Sequence, residues 1–304
     1  MKKLRFSILL CLAFMAFSCG KTTDYGNLDV RISYTVNNES LICDSMAYTN
    51  EAGNRFHVTE IQWFISNVTL KSDQGNEYIL GHREVNTLFS VAQDHIFYID
   101  TNIPESQTLE MASLPCGHYI SMSFTFGLNH DDNVTGLFVN PPESNMFWPE
   151  PLGGGYHYMK LNGKYLDSDD NLVPLNIHLG IGQNETHTEF YQNFFSVELS
   201  IDLYLAANAN NTINLDMNID HWFCCPNIYD FNTFGSAIMQ NQAAQNLLKE
   251  NGNDVFSVTT TNPMKSFSEV GLQIMKMSAP EPQFFSWKHI KRIFSDLKNT
   301  KESV

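Results

Sequence analysis

From Val30 onward, apolar and polar residues alternate along the chain with a period of two. Val30, Ile32, Tyr34 and Val36 form one set, and Ile120, Met122, Phe124 and Phe126 a second. Val197, Leu199, Ile201, Leu203 and Leu205 form a third, and Ile213, Leu215, Met217 and Ile219 a fourth. A strand turns successive side chains to opposite faces, so each set predicts a strand with one buried face, as in antiparallel sheets. Turn-rich stretches separate the sets. Ser72-Asp73-Gln74-Gly75-Asn76 is one, and Ala206 to Asn211 reads as a hairpin loop joining the third set to the fourth. Many strands with few helices between them predict an all-β fold over residues 28–225: an antiparallel sandwich of two sheets, Ig-like or jelly-roll-like.

The period changes near Asp230. Ile238, Met239, Ala244, Leu247 and Leu248 recur at helical spacing, with Ser236 as the expected N-cap of a helix from Ala237 to Glu250 and Gly252 as its stop. Residues 226–256 therefore read as a C-terminal helical extension. Residues 257–304 read as a linker holding Pro263, Pro280 and Pro282, then a basic amphipathic helix. Its apolar stripe is Ile290, Ile293, Phe294 and Leu297, surrounded by Lys288, Lys291, Arg292 and Lys298. Such a helix can lie on an anionic membrane or pack back on an acidic domain.

The N-terminus changes the picture of where this fold resides. Lys2, Lys3 and Arg5 precede an apolar run from Ile8 to Phe17, the charged and apolar regions of an export signal. The run is too short to span a bilayer. Ser18 followed by Cys19 is the small residue and cysteine of a bacterial lipoprotein. Residues 1–18 thus read as a signal peptide, and 19–27 as a lipidated Cys19 with a polar tether. The lipid makes the membrane a partner. It places the protein in the bacterial cell envelope, as an outer-membrane lipoprotein facing the periplasm or the cell surface. An ordinary secretory cut near Ser18 is the alternative.

The formal net charge is −15, and loss of the signal's three basic residues makes it more negative. A surface of that sign repels phosphate backbones, which excludes nucleic acid as a partner. Aromatics at 12% and charged residues at 17% exclude a disordered chain. Beyond Cys11 and Cys19 stand Cys43, Cys116, Cys224 and Cys225, an even number in an oxidising compartment. No Cys-x-x-Cys spacing is present, which removes zinc knuckles and thioredoxin-like sites. Adjacent cysteines would close a strained eight-membered ring, so the expected bond runs from Cys224 or Cys225 to Cys43 or Cys116.

Three blocks carry a family resemblance. They are Gln62-Trp63-Phe64-Ile65-Ser66-Asn67-Val68; Asn145-Met146-Phe147-Trp148-Pro149 running into Gly153-Gly154-Gly155-Tyr156-His157-Tyr158-Met159-Lys160-Leu161-Asn162-Gly163; and Ile177-His178-Leu179-Gly180. In this order and spacing they resemble the MbnP-like, methanobactin-associated copper-binding family, in particular its Bacteroidetes-type lipoprotein members. Met217 to Phe231 is similar to those members too, and the resemblance extends from about Leu28 to about Phe256. It implies an extracytoplasmic β-rich domain that binds copper through two histidine nitrogens and an oxidised tryptophan, with a tryptophan two residues before one ligand histidine. It also implies a dihaem peroxidase-like partner associated with that oxidation.

Imidazole suits Cu(I) and Cu(II), and thioether suits Cu(I). His157 and Met159 are two apart on a predicted strand and so leave one face. Met146 and Trp148 precede a Pro- and Gly-rich turn that folds them back against it. The candidate copper ligands are His157, His178, Met159 and Met146, with Trp148 as the oxidised tryptophan or a lid. Facing is the obstacle: Ile177 and Leu179 point to the core and turn His178 away from it, whereas His157 shares a face with buried-looking Met159 and Leu161. Bringing the rings together requires a bulge or a strand end. Each candidate also has a structural reading: a buried, hydrogen-bonded histidine for His157, a core aromatic for Trp148, packing for the two methionines. Gly153 to Gly155 read as a tight turn, because no Lys-Ser follows as in a phosphate loop. His130-Asp131-Asp132 reads as a solvated turn and His221-Trp222 as structural.

No Gly-x-Ser-x-Gly elbow, His-Glu-x-x-His helix or dinucleotide fingerprint occurs, and no carboxylate pair stands out. The expected activity is therefore not enzymatic: a lipoprotein holding copper for uptake, storage or delivery. The alternative is a surface glycan- or protein-binding sandwich that uses Trp63, Trp148 and Tyr156 as exposed aromatics.

Overall fold

The computed structural model describes residues 23–83, 93–184, 186 and 188–261. The chain divides into two units, of which the second, Met264–Val304, lies outside the described residues, as do the expected signal peptide, Cys19 and the basic terminal helix.

The first unit holds two main sheets. One contains β1 (Tyr25–Val36), β2 (Glu39–Ser40), β7 (Thr108–Pro115), β14 (Asn211–Asn218) and β15 (Phe256–Thr261), in the order β15-β14-β1-β2 with β7 also on β1. The other runs β10 (Leu172–Leu179), β9 (Met159–Leu166), β4 (Arg55–Ser72), β8 (Gly117–Phe126) and β13 (Phe195–Leu205). The short strands β3 (Tyr48–Thr49), β5 (Glu77–Ile79) and β6 (Ile96–Asp100) also pair with β4. A small ladder joins β11 (Gly182–Gln183) to β12 (Phe190–Tyr191).

The alternating sets meet in one core between these sheets. Val30, Ile213, Leu215, Met217 and Ile219 are fully buried, and aromatic rings bridge from sheet to sheet. Trp63 on β4 packs on Phe256 of β15 at 5.6 Å, and its Nε1 donates to the Tyr34 hydroxyl of β1 at 3.0 Å. The all-β sandwich follows from these patterns, with one sheet mixed, because β1 and β14 pair in parallel.

Several local expectations are corrected. Ala206 to Asn211 is not a hairpin: β13 pairs with β8 in one sheet and β14 with β1 and β15 in the other, so the loop crosses the sandwich edge. Both strands are alternating because their apolar faces oppose each other across the core. Ile120 is exposed because a register shift in β8 buries Tyr119 and Met122 instead. The helix α2 (Gln242–Asn251) starts later than expected, capped by Asn241, whose side chain accepts from the Ala244 N–H; a single turn, α1 (Phe231–Phe234), precedes it. Ser236 is occupied at the edge of β10, where its hydroxyl donates to Pro174 O and its carbonyl accepts from Asn176 N–H. Gly252 ends the helix as expected: it is the C-cap after Asn251, and the chain passes from it into a 3-10 turn against the Phe195 ring. The end of the expected helical extension, Phe256, and the first residues of the expected linker form β15 (Phe256–Thr261), and β1 begins inside the expected tether, at Tyr25.

The disulfide joins Cys224 to Cys225, with Cys43 and Cys116 free. Cys116 lies by the β13–β14 loop, whose Ala207 backbone bonds its thiol. Cys224 follows the far end of β14. Eight strand residues at ~3.3 Å each separate those ends, so no bond can link them.

Candidate metal centre

The sheet supplies half of the centre. In the β9–β10 ladder His178 stands opposite Lys160 and Asn176 opposite Asn162, and β4 adds Gln62 beside Lys160 and Glu60 beside Asn162. These polar side chains share one face, and Met159, Leu161, Ile177 and Leu179 fill the other, towards the core. His178 Nε2 lies 2.8 Å from Asn162 Oδ1. The Asn162 amide nitrogen in turn reaches Glu60 Oε2 at 3.4 Å, which orients the amide oxygen towards the ring. An oxygen acceptor requires the proton on Nε2, so the neutral ring carries its lone pair on Nδ1.

The other half comes from a segment before the strand. β9 starts only at Met159. Upstream, Asn145 to Trp148 folds back along Gly155 to His157: Trp148 N–H donates to Gly155 O at 2.8 Å, His157 N–H to Met146 O at 2.6 Å, and Phe147 bridges to Tyr156. The reversal needs left-handed backbone at Gly153, Gly154 and Gly155, with φ of 116°, 68° and 78°, a region that glycine enters without a Cβ penalty. Asn133 and Thr135 secure it by accepting from the Tyr156 and Gly155 N–H groups.

This strand-end geometry removes the facing obstacle. The His157 and His178 rings lie 5.2 Å apart, centre to centre, at 84°. His157 Nδ1 is 2.9 Å from Met146 O, so the proton sits there and the lone pair on Nε2. Trp148 is fully buried, 4.7 Å from the His157 ring, with Nε1 donating to Leu152 O at 3.0 Å. Its six-membered ring occupies the space a Cβ on Gly180 would need, with the nearest ring atoms at 2.5–2.6 Å. The His178-Leu179-Gly180 block thus provides one imidazole and the gap that admits the indole beside the other.

Burial holds the His157 imidazole down at about 3, against backbone groups of Met146 and Phe147 that pull it upward, with the charge of Lys160 and the His178 ring lowering it further. His178 is lowered to about 4 by burial and then by Lys160. Both rings are therefore neutral at pH 7, the form that binds metal. A metal about 2.0 Å from a ligating nitrogen lies about 3 Å from that ring's centre, so ring centres 5.2 Å apart fall within the roughly 6 Å that one ion can bridge. Among the described residues no group of three or more His, Cys, Asp or Glu is placed to hold a metal, so the donor set rests on this pair.

The methionines are placed differently from expectation. Met159 faces the core, paired with Leu179 and Trp63, because the bend at Tyr158 breaks the alternation with His157. Met146 is buried, and the group it brings to His157 is its carbonyl oxygen. Trp63, Trp148 and Tyr156 are buried, which removes the exposed aromatics of the recognition-module reading. His130-Asp131-Asp132 is a turn closed by Asn129 Oδ1, which accepts from both Asp131 and Asp132 N–H groups. Lys160, Asn162 and Gly180 were not among the candidates; the hairpin register around Asp167 to Asn171 carries the signal that sets the first two beside His178.

The MbnP family model matches residues 25–242, a range that contains this whole centre. Among solved structures, MbnP from Methylosinus trichosporium is similar, with a TM-score of 0.51 and 12% identity, covering 78% of this chain and 99% of that one. At that identity the likeness is one of fold. No curated protein matches the chain. The spacing of a tryptophan two residues before a histidine occurs at Trp287-Lys288-His289, outside the described residues and beyond the family match. Trp148 instead meets His157 through space.

Proposed function

The chain belongs to the MbnP family, and from that premise we propose that it is a cell-envelope lipoprotein that binds copper through His157 and His178 for uptake, storage or delivery, without catalysis of its own. The pairing of two neutral imidazoles at 5.2 Å carries the reading. Because both rings are already unprotonated at pH 7, binding displaces no proton from them. Asn162 and the Met146 carbonyl hold each ring in one tautomer, which spares the ion the work of ordering them. Trp148 closes the site beside His157, and in this reading it is the residue a dihaem peroxidase-like partner would oxidise.

The test is metal retention. The purified chain is given one equivalent of Cu(I) without oxygen, or of Cu(II), then desalted and analysed by mass spectrometry. One retained copper in the wild type, lost in both His157→Ala and His178→Ala, is the expected result. No retention by the wild type overturns the reading. Retention that survives both substitutions and disappears in His289→Ala moves the site to the tail and overturns the assignment. Intact mass reports whether a tryptophan carries added oxygen.

A further inference from the structure

Lys160 is the charged group built into the centre. Its register partner across the ladder is His178, and its ammonium donates to the Asn145 carbonyl at 2.5 Å. The next carbonyl along, that of Met146, holds His157. Two consecutive carbonyls thus anchor a cation and an imidazole side by side, and the charge acts on both rings. No carboxylate forms an ion pair with Lys160 within 4.0 Å among the described residues. Glu60 acts on it only at longer range; the oxygens of Glu60 are taken by Asn102 at 2.7 Å and Asn162 at 3.4 Å.

The charge balance is what this implies. Two neutral imidazoles bring no negative charge, and no Asp or Glu joins them. Copper bound there would add one or two positive charges to a half-buried site that already holds an ammonium. Burying unbalanced charge is costly unless an opposite charge arrives with it. Two nitrogens also leave coordination positions of copper open.

Resting on the copper reading, we infer that the centre takes copper together with a small carboxylate anion, which fills an open position on the ion and is held by the ammonium of Lys160. The carboxylate has two sources: a free anion, or the carboxylate of the chelate that delivers the copper. By linkage, an anion that binds only the loaded site must tighten copper binding by the same factor that copper tightens the anion.

Copper affinity of the full chain is measured by chelator competition, for Cu(I) and Cu(II) separately, as sodium formate replaces perchlorate at constant ionic strength. In a second arm, copper is supplied as its glycine chelate and glycine retained after desalting is counted by mass spectrometry. Affinity at least tenfold tighter in formate, or glycine retained one to one with copper, supports the inference and identifies the source. In either arm Lys160→Met must abolish the effect while copper is still retained, and Lys160→Arg must preserve it. Should Lys160→Met not fold, Lys160→Gln serves the same comparison. A wild type that holds copper with no formate response and no glycine overturns the inference and leaves the copper reading standing. So does an effect undiminished in Lys160→Met. A wild type that holds no copper overturns both.

Discussion

His178 stands inside a ladder of eight residue pairs between β9 and β10, with β4 packed along the other side of β9. His157 stands two residues before β9, in a reversal that depends on three left-handed glycines, a buried tryptophan and a handful of backbone bonds. The strand half is over-determined, since shifting it would break every pair of the ladder and turn its apolar face to water. The loop half is held mainly by the Trp148 ring lying on Gly180 and by the bonds from Asn133 and Thr135. The contrast teaches that one imidazole is delivered by regular structure and the other by packing, so the two halves should fail in different ways.

The largest separation between them is expected on removing the indole. Trp148→Ala empties a fully buried site and should cost about 3–5 kcal/mol, measured by urea denaturation. His178→Ala, at a half-buried position, should cost far less. A loss below about 1 kcal/mol for Trp148→Ala means that the indole does not hold the loop half.

Acid should act on both halves together. The two imidazoles are depressed in the folded state, so the unfolded chain takes up protons first. Their contribution is fully present above the unfolded value near 6.5 and is lost as pH falls from there towards about 4 for His178 and about 3 for His157. At ~1.4 kcal/mol per pH unit per ring, about 2 kcal/mol for each should be gone by pH 5. Urea curves at pH 7 and pH 5 check this, and His178→Gln should remove one share. Equal stability at the two pH values would contradict burial of the rings.

The smallest effect is expected from the support of the strand half. Asn162→Ala frees the His178 ring from its orienting partner and should weaken copper binding about 10- to 100-fold, with folding stability changed by about 1 kcal/mol or less. Chelator competition reads the first and urea denaturation the second. An unchanged affinity shows that the ladder alone orients His178.

Much of this organisation is legible in the sequence. Alternation at Val30 to Val36 and at Ile213 to Ile219 marked core strands, and the Ile177-His178-Leu179 pattern turned His178 outward, as the ladder does. The Ala206 to Asn211 connection reads as a hairpin in the sequence because alternation reports which face of a strand is buried and is silent on which sheet the strand joins. Ser236 as a helix cap failed for a related reason: its hydroxyl had a competing partner on β10. The pairing of His157 with Met159 failed because one bend at Tyr158 cancels a period-two argument.

Local rules therefore carried the strand class, the outward face of His178 and the glycine-driven turn before His157, since each depends on steric preferences acting over a few residues. The meeting of His157 with His178, the placing of Trp148 on Gly180 and the isolation of the Lys160 charge were settled by packing between segments far apart in the chain. Whether two rings lie 5 or 15 Å apart depends on how β9, β10 and the preceding reversal dock. That is a sum of many long-range contacts which no short stretch of sequence contains.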